Sequence, residues 1–424
     1  MVVAKPAITT LGMTAGKTKM NKLEELIKEL CPDGVEYRKL GEIATVARGG
    51  NFQKSDFVEK GKPCIHYGQM YTHFDNYTDT VLTYLSEEVF NKSKKAQPND
   101  IVMAVTSENV EDVCSCVAWL GNQEIAISGH TAIIHHNQNA KYMSYFFHSD
   151  YFFKQKVKLA HGTKVIEVTP DRLLAIEIPI PPLEVQKEIV RILDSFTELE
   201  KELEKELAAR KKQYEYYRDS LLTFDDSVEW KTIKELFDTR NGYTPSTSNS
   251  AFWDNGTIPW FVMDDIRTNG RVLSDSKQHI TPAAVKGSRL FKKNSIIVAT
   301  SATIGEHALI TTDFLSNQRF TCLSPKEEFE SKIDMKFIFY YSFILDDFCK
   351  NNTTVSSFAS VDMRKFYDFK FPLPPLAEQE RIVSILDRFD SLCNSLTSGL
   401  PAEIEARRRQ YQYYRDKLLS FKRC

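Results

Sequence analysis

The side chains in this sequence best suited to chemistry lie in short polar stretches between apolar runs, and what they can do is hydrogen-bond. In the first half these stretches are Arg48–Lys54 (RGGNFQK), Gly68–Tyr71 (GQMY) and Thr106–Asn109 (TSEN). In the second they are Arg240–Ser248 (RNGYTPSTS), Thr300–Thr303 (TSAT) and Ser316–Arg319 (SNQR). Arg, Asn, Gln, Ser and Thr are the side chains that read base edges and phosphates. Any one such stretch is an ordinary polar loop by default, but two of them recur at matching positions in both halves. The candidate contacts are Arg48, Asn51, Lys54, Gln69 and Tyr71 in the first half. In the second they are Arg240, Asn241, Tyr243, Thr244, Ser246, Ser301, Asn317, Gln318 and Arg319. Lys164, within His161-Gly162-Thr163-Lys164, is a candidate phosphate contact.

Catalytic patterns occur only as near-misses. Gly12–Thr18 (GMTAGKT) is one residue short of a P-loop between its glycines and has no strand before it. Asp171 and Glu177 lack the lysine that a nuclease carboxylate cluster would use. Pro179, Pro181 and Pro182 do not form the Asn-Pro-Pro-aromatic pattern of an adenine methyltransferase. His135-His136 falls in a strand-like run and reads as structural. Cys114 and Cys116 have no second pair to complete a zinc site. No catalytic or metal-binding residue is assigned, and no cofactor is expected on this chain.

These side chains must be positioned by a chain of 424 residues, with 55 Lys+Arg against 57 Asp+Glu. That length suggests two or three domains at about 150 residues each. No apolar run approaches the ~18 residues of a membrane span, and the first twenty residues lack the apolar core of a secretory signal. The eight cysteines then read as reduced thiols of a cytoplasmic protein. A formal net charge of −2 argues against a simple, strongly basic nucleic-acid binder.

Comparison of the sequence with itself reveals a repeat. IPIPPLEVQKEIVRILDSF (178–196) returns as FPLPPLAEQERIVSILDRF (371–389), 193 residues later. RKKQYEYYRDSLLTF (210–224) returns as RRRQYQYYRDKLLSF (407–421), 197 residues later, and Gly49 and Gly242 also stand 193 apart. Leu193, Phe196, Leu199, Leu203, Leu207, Tyr214, Tyr217 and Leu221 recur at spacings of mostly three and four, the stripe of a long helix. Its other face alternates Glu and Lys, a solvated coiled-coil surface. The second copy carries the stripe through Ile382, Ile385, Phe389, Leu392 and Leu396, and is then broken at Ser398-Gly399-Leu400-Pro401. Two such helices invite antiparallel pairing, each burying the other's stripe.

The blocks ahead of these helices mix β-like runs (101–105, 125–127, 132–134, 175–178; 296–300, 308–310, 369–371) with helix candidates at 86–92, 141–157 and 335–350. The class is α+β. The expected division is a disordered tail or appended segment over 1–21 and an N-terminal helical segment over 22–34. A first variable block over 35–180 and a central helix over 181–224 follow. A second block over 225–373 and a C-terminal helix over 374–421, broken near 398–401, complete the chain.

The repeated segments resemble the specificity subunit of a type I restriction–modification system. The resemblance rests on Pro181-Pro182-Leu183 to Gln186 and Pro374-Pro375-Leu376 to Gln379. It extends to Ile-Val-x-Ile-Leu-Asp at 189–194 and 382–387, and to Gln-Tyr-x-Tyr-Tyr-Arg-Asp at 213–219 and 410–416. Ser301–Gly305 and Ser316–Arg319 also look like this family's recognition domains. The resemblance implies two target recognition domains that each read one half of a split double-stranded DNA sequence, held apart by the paired helices in a circular, pseudo-twofold arrangement. It implies methyltransferase subunits docked on the helices and restriction subunits with translocase activity joining them. S-adenosylmethionine, ATP and Mg²⁺ would bind those partners. The competing expectation is a two-domain coiled-coil adaptor whose loops bind proteins rather than DNA.

Overall fold

The computed structural model describes residues 21–354, 359–395 and 398–424. The P-loop-like Gly12–Thr18 and residues 1–20 of the tail expected over 1–21 lie outside them, while residue 21 already belongs to a helix. The chain closes into two compact units. One comprises the chain up to Glu204 together with Glu403–Cys424, and the other comprises Lys205–Ala402. Each unit is therefore larger than its variable block, because it takes in segments of the repeated helices.

In the first unit, residues 21–30 form helix α1, shorter than the 22–34 expected because Cys31-Pro32-Asp33-Gly34 turns the chain. The central sheet contains β1 (Ala44–Arg48), β2 (Tyr77–Thr78), β3 (Ile101–Ala104), β4 (Cys116–Trp119) and β5 (Thr131–His136), in the order β1-β5-β3-β4-β2. All neighbours are antiparallel except β4 and β2, which are parallel. The second unit repeats this plan with β6 (Phe237–Asn241), β7 (Val272–Leu273), β8 (Ser295–Ala299), β9 (His307–Ile310) and β10 (Phe320–Pro325). Their order, β6-β10-β8-β9-β7, again ends in a parallel pair. The central strands of both sheets are buried on both faces, which is why Ile101–Ala104 and Ser295–Ala299 read as near-continuous apolar runs. Alternate residues serve alternate faces. Ile101 and Met103 join one core with Tyr142, Phe146 and Ile189, whereas Val102 and Ala104 join another with Ile65 and Ile127. Ile296 and Val298 face Phe337 and Leu345, whereas Ile297 and Ala299 face Trp260 and Phe314.

The helix expected over 141–157 is two helices, α2 (Ala140–Phe147) and α3 (Asp150–Leu159). Ser149 separates them, its side chain accepting from the Phe152 amide as an N-cap. Helix α4 (Leu183–Leu221) is continuous for 39 residues. The second unit adds α5 (Met335–Asn351) and α6 (Leu376–Asn394), and α7 (Leu400–Leu418) follows. The break between α6 and α7 falls where Gly399 and Pro401 predict it.

Within each unit the helices pair antiparallel. In the first, Phe196 stacks on Tyr414 at 5.4 Å, while Glu200 and Glu204 further along α4 receive Arg408, earlier on α7. In the second, Tyr217 stacks on Phe389 at 5.4 Å, while Lys211 acts electrostatically on Cys393 further along α6. The repeated motifs have the same mechanical role twice. Gln186 Oε1 accepts from the Asn139 amide (3.0 Å) and its Nε2 donates to the Pro181 carbonyl (2.8 Å). Gln379 likewise accepts from the Asp334 amide (2.9 Å) and donates to the Pro374 carbonyl (2.8 Å). One helical stretch further on, Asp194 takes Lys141 Nζ and the Tyr145 hydroxyl, each at 2.7 Å. Asp387 takes Lys336 Nζ at 2.6 Å and the Tyr340 hydroxyl at 2.7 Å. Each Gln–Asp pair thus ties one sheet-packed helix, α2 in the first unit and α5 in the second, to the repeated helix beside it.

Candidate nucleic-acid interface

The registers place the polar loops together. In the first unit Arg48 lies opposite Ala132, and Thr131 lies opposite Ala104. The end of β1, the end of β3 and the start of β5 therefore share one sheet edge. In the second, Asn241 lies opposite Thr321 and Ala299 opposite Phe320, so the ends of β6 and β8 and the start of β10 share the corresponding edge.

The repeated glycines are needed at these edges. Gly49 N–H donates to the Thr131 carbonyl at 3.0 Å, and Gly242 N–H donates to the Phe320 carbonyl at 3.0 Å. A Cβ on Gly49 would stand 2.1 Å from the Ser128 carbonyl oxygen, and one on Gly242 would stand 2.2 Å from that of Ser316. Only glycine allows the strand exit to lie this close to the facing loop.

In the first unit the structure brings Arg48, Asn51 and Lys164 to this edge. Arg48 donates from Nε to the Gly129 carbonyl (3.1 Å) and pairs with Glu167 at 3.0 Å. Glu167 and Ile166 pair with Thr106 and Ser107, which carries the turn bearing exposed Lys164 to the same place. Asn51 is exposed beside Gly129, and Lys54 is exposed on the following turn. Gln69 and Tyr71 are engaged internally instead. Gln69 Oε1 accepts from the His66 amide (2.9 Å) and its Nε2 donates to Thr83 Oγ1 (3.2 Å). The Tyr71 hydroxyl donates to the Thr106 carbonyl (2.8 Å), and burial pushes this phenol up to about 12.

In the second unit Thr244, Ser246, Gln318 and Arg319 are exposed on converging loops, with Thr244 Oγ1 donating to Gln318 Oε1 at 2.6 Å. Ser246 Oγ lies 2.9 Å from Ser248 Oγ. Asn317 is half-buried, its Oδ1 accepting from the Arg319 amide (3.0 Å). Other candidates are consumed by the loops themselves. The Tyr243 hydroxyl donates to the Ala284 carbonyl (3.0 Å) and accepts from the Lys286 amide (2.7 Å). Asn241 Oδ1 accepts from Thr321 Oγ1 (2.9 Å), and Ser301 bridges Ser360 through its backbone. Arg240 lies over the Phe291 ring at 4.3 Å and donates to the Arg289 carbonyl at 2.8 Å. Among the described residues, Lys54, Lys164 and Arg319 make no ion pair.

Sequence reasoning missed Ser128-Gly129-His130, which enters β5 as Asn317-Gln318-Arg319 enters β10. The correspondence is in the strand register rather than in residue identity. Among the described residues no three His, Cys, Asp or Glu side chains cluster to hold a metal. Cys114 and Cys116 are buried, and burial pushes the Cys114 thiol up to about 12. None of the described helices is long and apolar enough to cross a membrane.

The two units are thus α+β modules of one topology, each carrying divergent polar loops at the same sheet edge and a tethered helix pair. The family model for the type I restriction modification DNA specificity domain matches residues 32–209 and again 226–406. The chain belongs to that family. It is 56% identical over 202 residues to the type I restriction enzyme EcoprrI specificity subunit of Escherichia coli, covering 46% of this chain and 50% of that protein. It is 44% identical over 262 residues to the EcoR124I/EcoR124II specificity subunit of Escherichia coli, covering 58% of this chain and 63% of the relative. The matched stretches therefore span about half to under two thirds of these relatives. The fold is shared with the HsdS subunit from Thermoanaerobacter tengcongensis, at a TM-score of 0.52 and 18% identity over 92% of this chain and 97% of that one. A chain from a structural study of type I restriction–modification assembly and conformational transition matches with a TM-score of 0.64 and 18% identity, over 92% of this chain and 98% of that one.

Proposed function

We propose that this chain is a non-catalytic DNA-recognition subunit that reads a split double-stranded sequence, one half with each unit. The observation that carries the reading is the pair of equivalent sheet edges, where the same strand register and the same glycine present different polar side chains. A duplicated scaffold with divergent loops suits two different half-sites read by one mechanism. The tethered helices are the docking frame for methyltransferase subunits, with restriction and translocase subunits joining them in the cytoplasm. On this reading S-adenosylmethionine, ATP and Mg²⁺ act on those partners.

The blocks are nearly neutral, with 15 Lys+Arg against 17 Asp+Glu over 35–180 and 18 against 17 over 228–373. The positive charge available to phosphates is confined to a few side chains such as Lys54, Lys164 and Arg319. Binding by the isolated chain is therefore weak and salt-sensitive, and becomes tight only in the assembly. Footprinting with the methyltransferase partner tests the reading. A single protected bipartite site supports it, and absence of DNA binding in every assembly refutes it in favour of a protein adaptor.

A further inference from the structure

We infer that His130 is a base-reading residue of the first recognition unit, standing where Arg319 stands in the second. The inference rests on the proposed DNA reading and deepens it. The equivalence follows from two strand registers and one shared hydrogen bond. Arg48 opposite Ala132 corresponds to Asn241 opposite Thr321, and Ala104 opposite Thr131 corresponds to Ala299 opposite Phe320. Gly49 and Gly242 donate to the facing residues Thr131 and Phe320. Stepping back one residue from Thr131 and Phe320 pairs His130 with Arg319. One step further, Gly129 lies against Asn51 as Gln318 lies against Thr244.

The local chemistry fits a reader. His130 is exposed and follows Gly129, whose carbonyl accepts from Arg48 Nε and whose Cα lies against Asn51. Its Nδ1 lies 3.2 Å from Thr106 Oγ1, and its ring packs on Tyr67 with centroids 5.0 Å apart. Thr106 is itself buried, and its carbonyl accepts from Tyr71. The imidazole is therefore fixed on two sides, while its Nε2 makes no hydrogen bond among the described residues. A short, oriented ring with one nitrogen free is what directional base-edge hydrogen bonding needs, whereas a long mobile cation suits phosphate. The surrounding titratable and charged groups are His66 and Tyr67 on the adjoining turn and Lys54 near His66. Arg48 also belongs to this set, held between Gly129 and Glu167.

The test uses the full chain assembled with its methyltransferase partner. Methylation mapping first defines the wild-type bipartite motif, and duplexes carrying that motif, or single-base changes in it, are then used for binding. His130→Ala is expected to weaken binding roughly 5- to 150-fold and to relax the preference at one position of the first half-site, leaving the second half-site intact. His130→Gln, which keeps a donor, is expected to retain part of that preference. His135→Ala is the control, because His135 sits at the far end of β5, the strand that His130 leads into, and is paired with Asp100. If His130→Ala keeps the wild-type motif and affinity, the assignment is wrong. An equal loss on every sequence also overturns it, because that is the signature of a phosphate contact. If the wild-type assembly recognises no bipartite site, the DNA reading itself fails, a result distinct from either of these.

Discussion

Removing the carboxylate that ties each sheet domain to its long helix should destabilise the two units unequally. Asp194 and Asp387 occupy the same repeat position and make the same two contacts, to Lys141 and Tyr145 and to Lys336 and Tyr340. Their surroundings differ. The Asp194 and Lys141 side chains are 18% and 25% exposed, against 38% and 43% for Asp387 and Lys336. Lys141 also sits 3.7 Å from the centre of the Tyr77 ring. Water compensates a lost ion pair where the partners are more than a third exposed, so at Asp387 the pair contributes little and the tyrosine hydrogen bond dominates, about 1–2 kcal/mol. At Asp194 the less hydrated ammonium adds to the orphaned hydroxyl, for about 3 kcal/mol in total. Asp194→Ala should therefore lower stability by about twice as much as Asp387→Ala, read by urea unfolding with a probe in each unit. The cycle of Asp194→Ala with Tyr145→Phe should show coupling well above the ~0.5 kcal/mol of independent sites. Equal costs for the two alanine variants, or an additive cycle, would refute the argument that burial sets the worth of this tether.

Three further outcomes follow from the same structure. Burial, then repulsion from His135, lowers His136 to about 4, and its Nδ1 accepts from the Gln138 amide in the neutral form. The unfolded chain binds this proton first, so stability is full above about pH 6.5 and falls by about 1–3 kcal/mol as pH drops towards 4; His136→Gln should flatten that part of the curve. Gly49→Ala and Gly242→Ala should each cost about 1–3 kcal/mol and distort the polar sheet edge of one unit only, because the added Cβ meets backbone that cannot yield; protease sensitivity confined to the mutated unit would report it. Of the eight cysteines only Cys424 is exposed; a thiol reagent should therefore modify one thiol per native chain and eight after unfolding, and a second fast-reacting thiol would contradict the burial.

The repeat, the helix break and the core strands were legible because they depend on local pattern. The stripe from Leu193 to Leu221 and the interruption at Gly399 and Pro401 follow from helix periodicity and backbone freedom. Ile101–Ala104 and Ser295–Ala299 follow from the unbroken apolarity of strands buried on both faces. The helix expected across 141–157 failed because Ser149, within the polar His148-Ser149-Asp150 step between two aromatic runs, caps α3 and ends the continuity.

The polar loops divide differently. Their composition and the 193-residue spacing of Gly49 and Gly242 singled out matching polar stretches in the two halves, and the structure places those stretches at equivalent sheet edges with a close backbone approach at each glycine. Which side chains are free to act was not legible. Tyr71, Gln69 and Tyr243 have the right chemistry but spend it on Thr106, Thr83 and Ala284, partners distant in sequence. His130 corresponds to Arg319 only once β5 and β10 are paired with their neighbours. Apolar periodicity is a property of neighbouring residues, so the linear chain carries it. The availability of a donor depends on what the folded chain places opposite it, and the sheet register settles that.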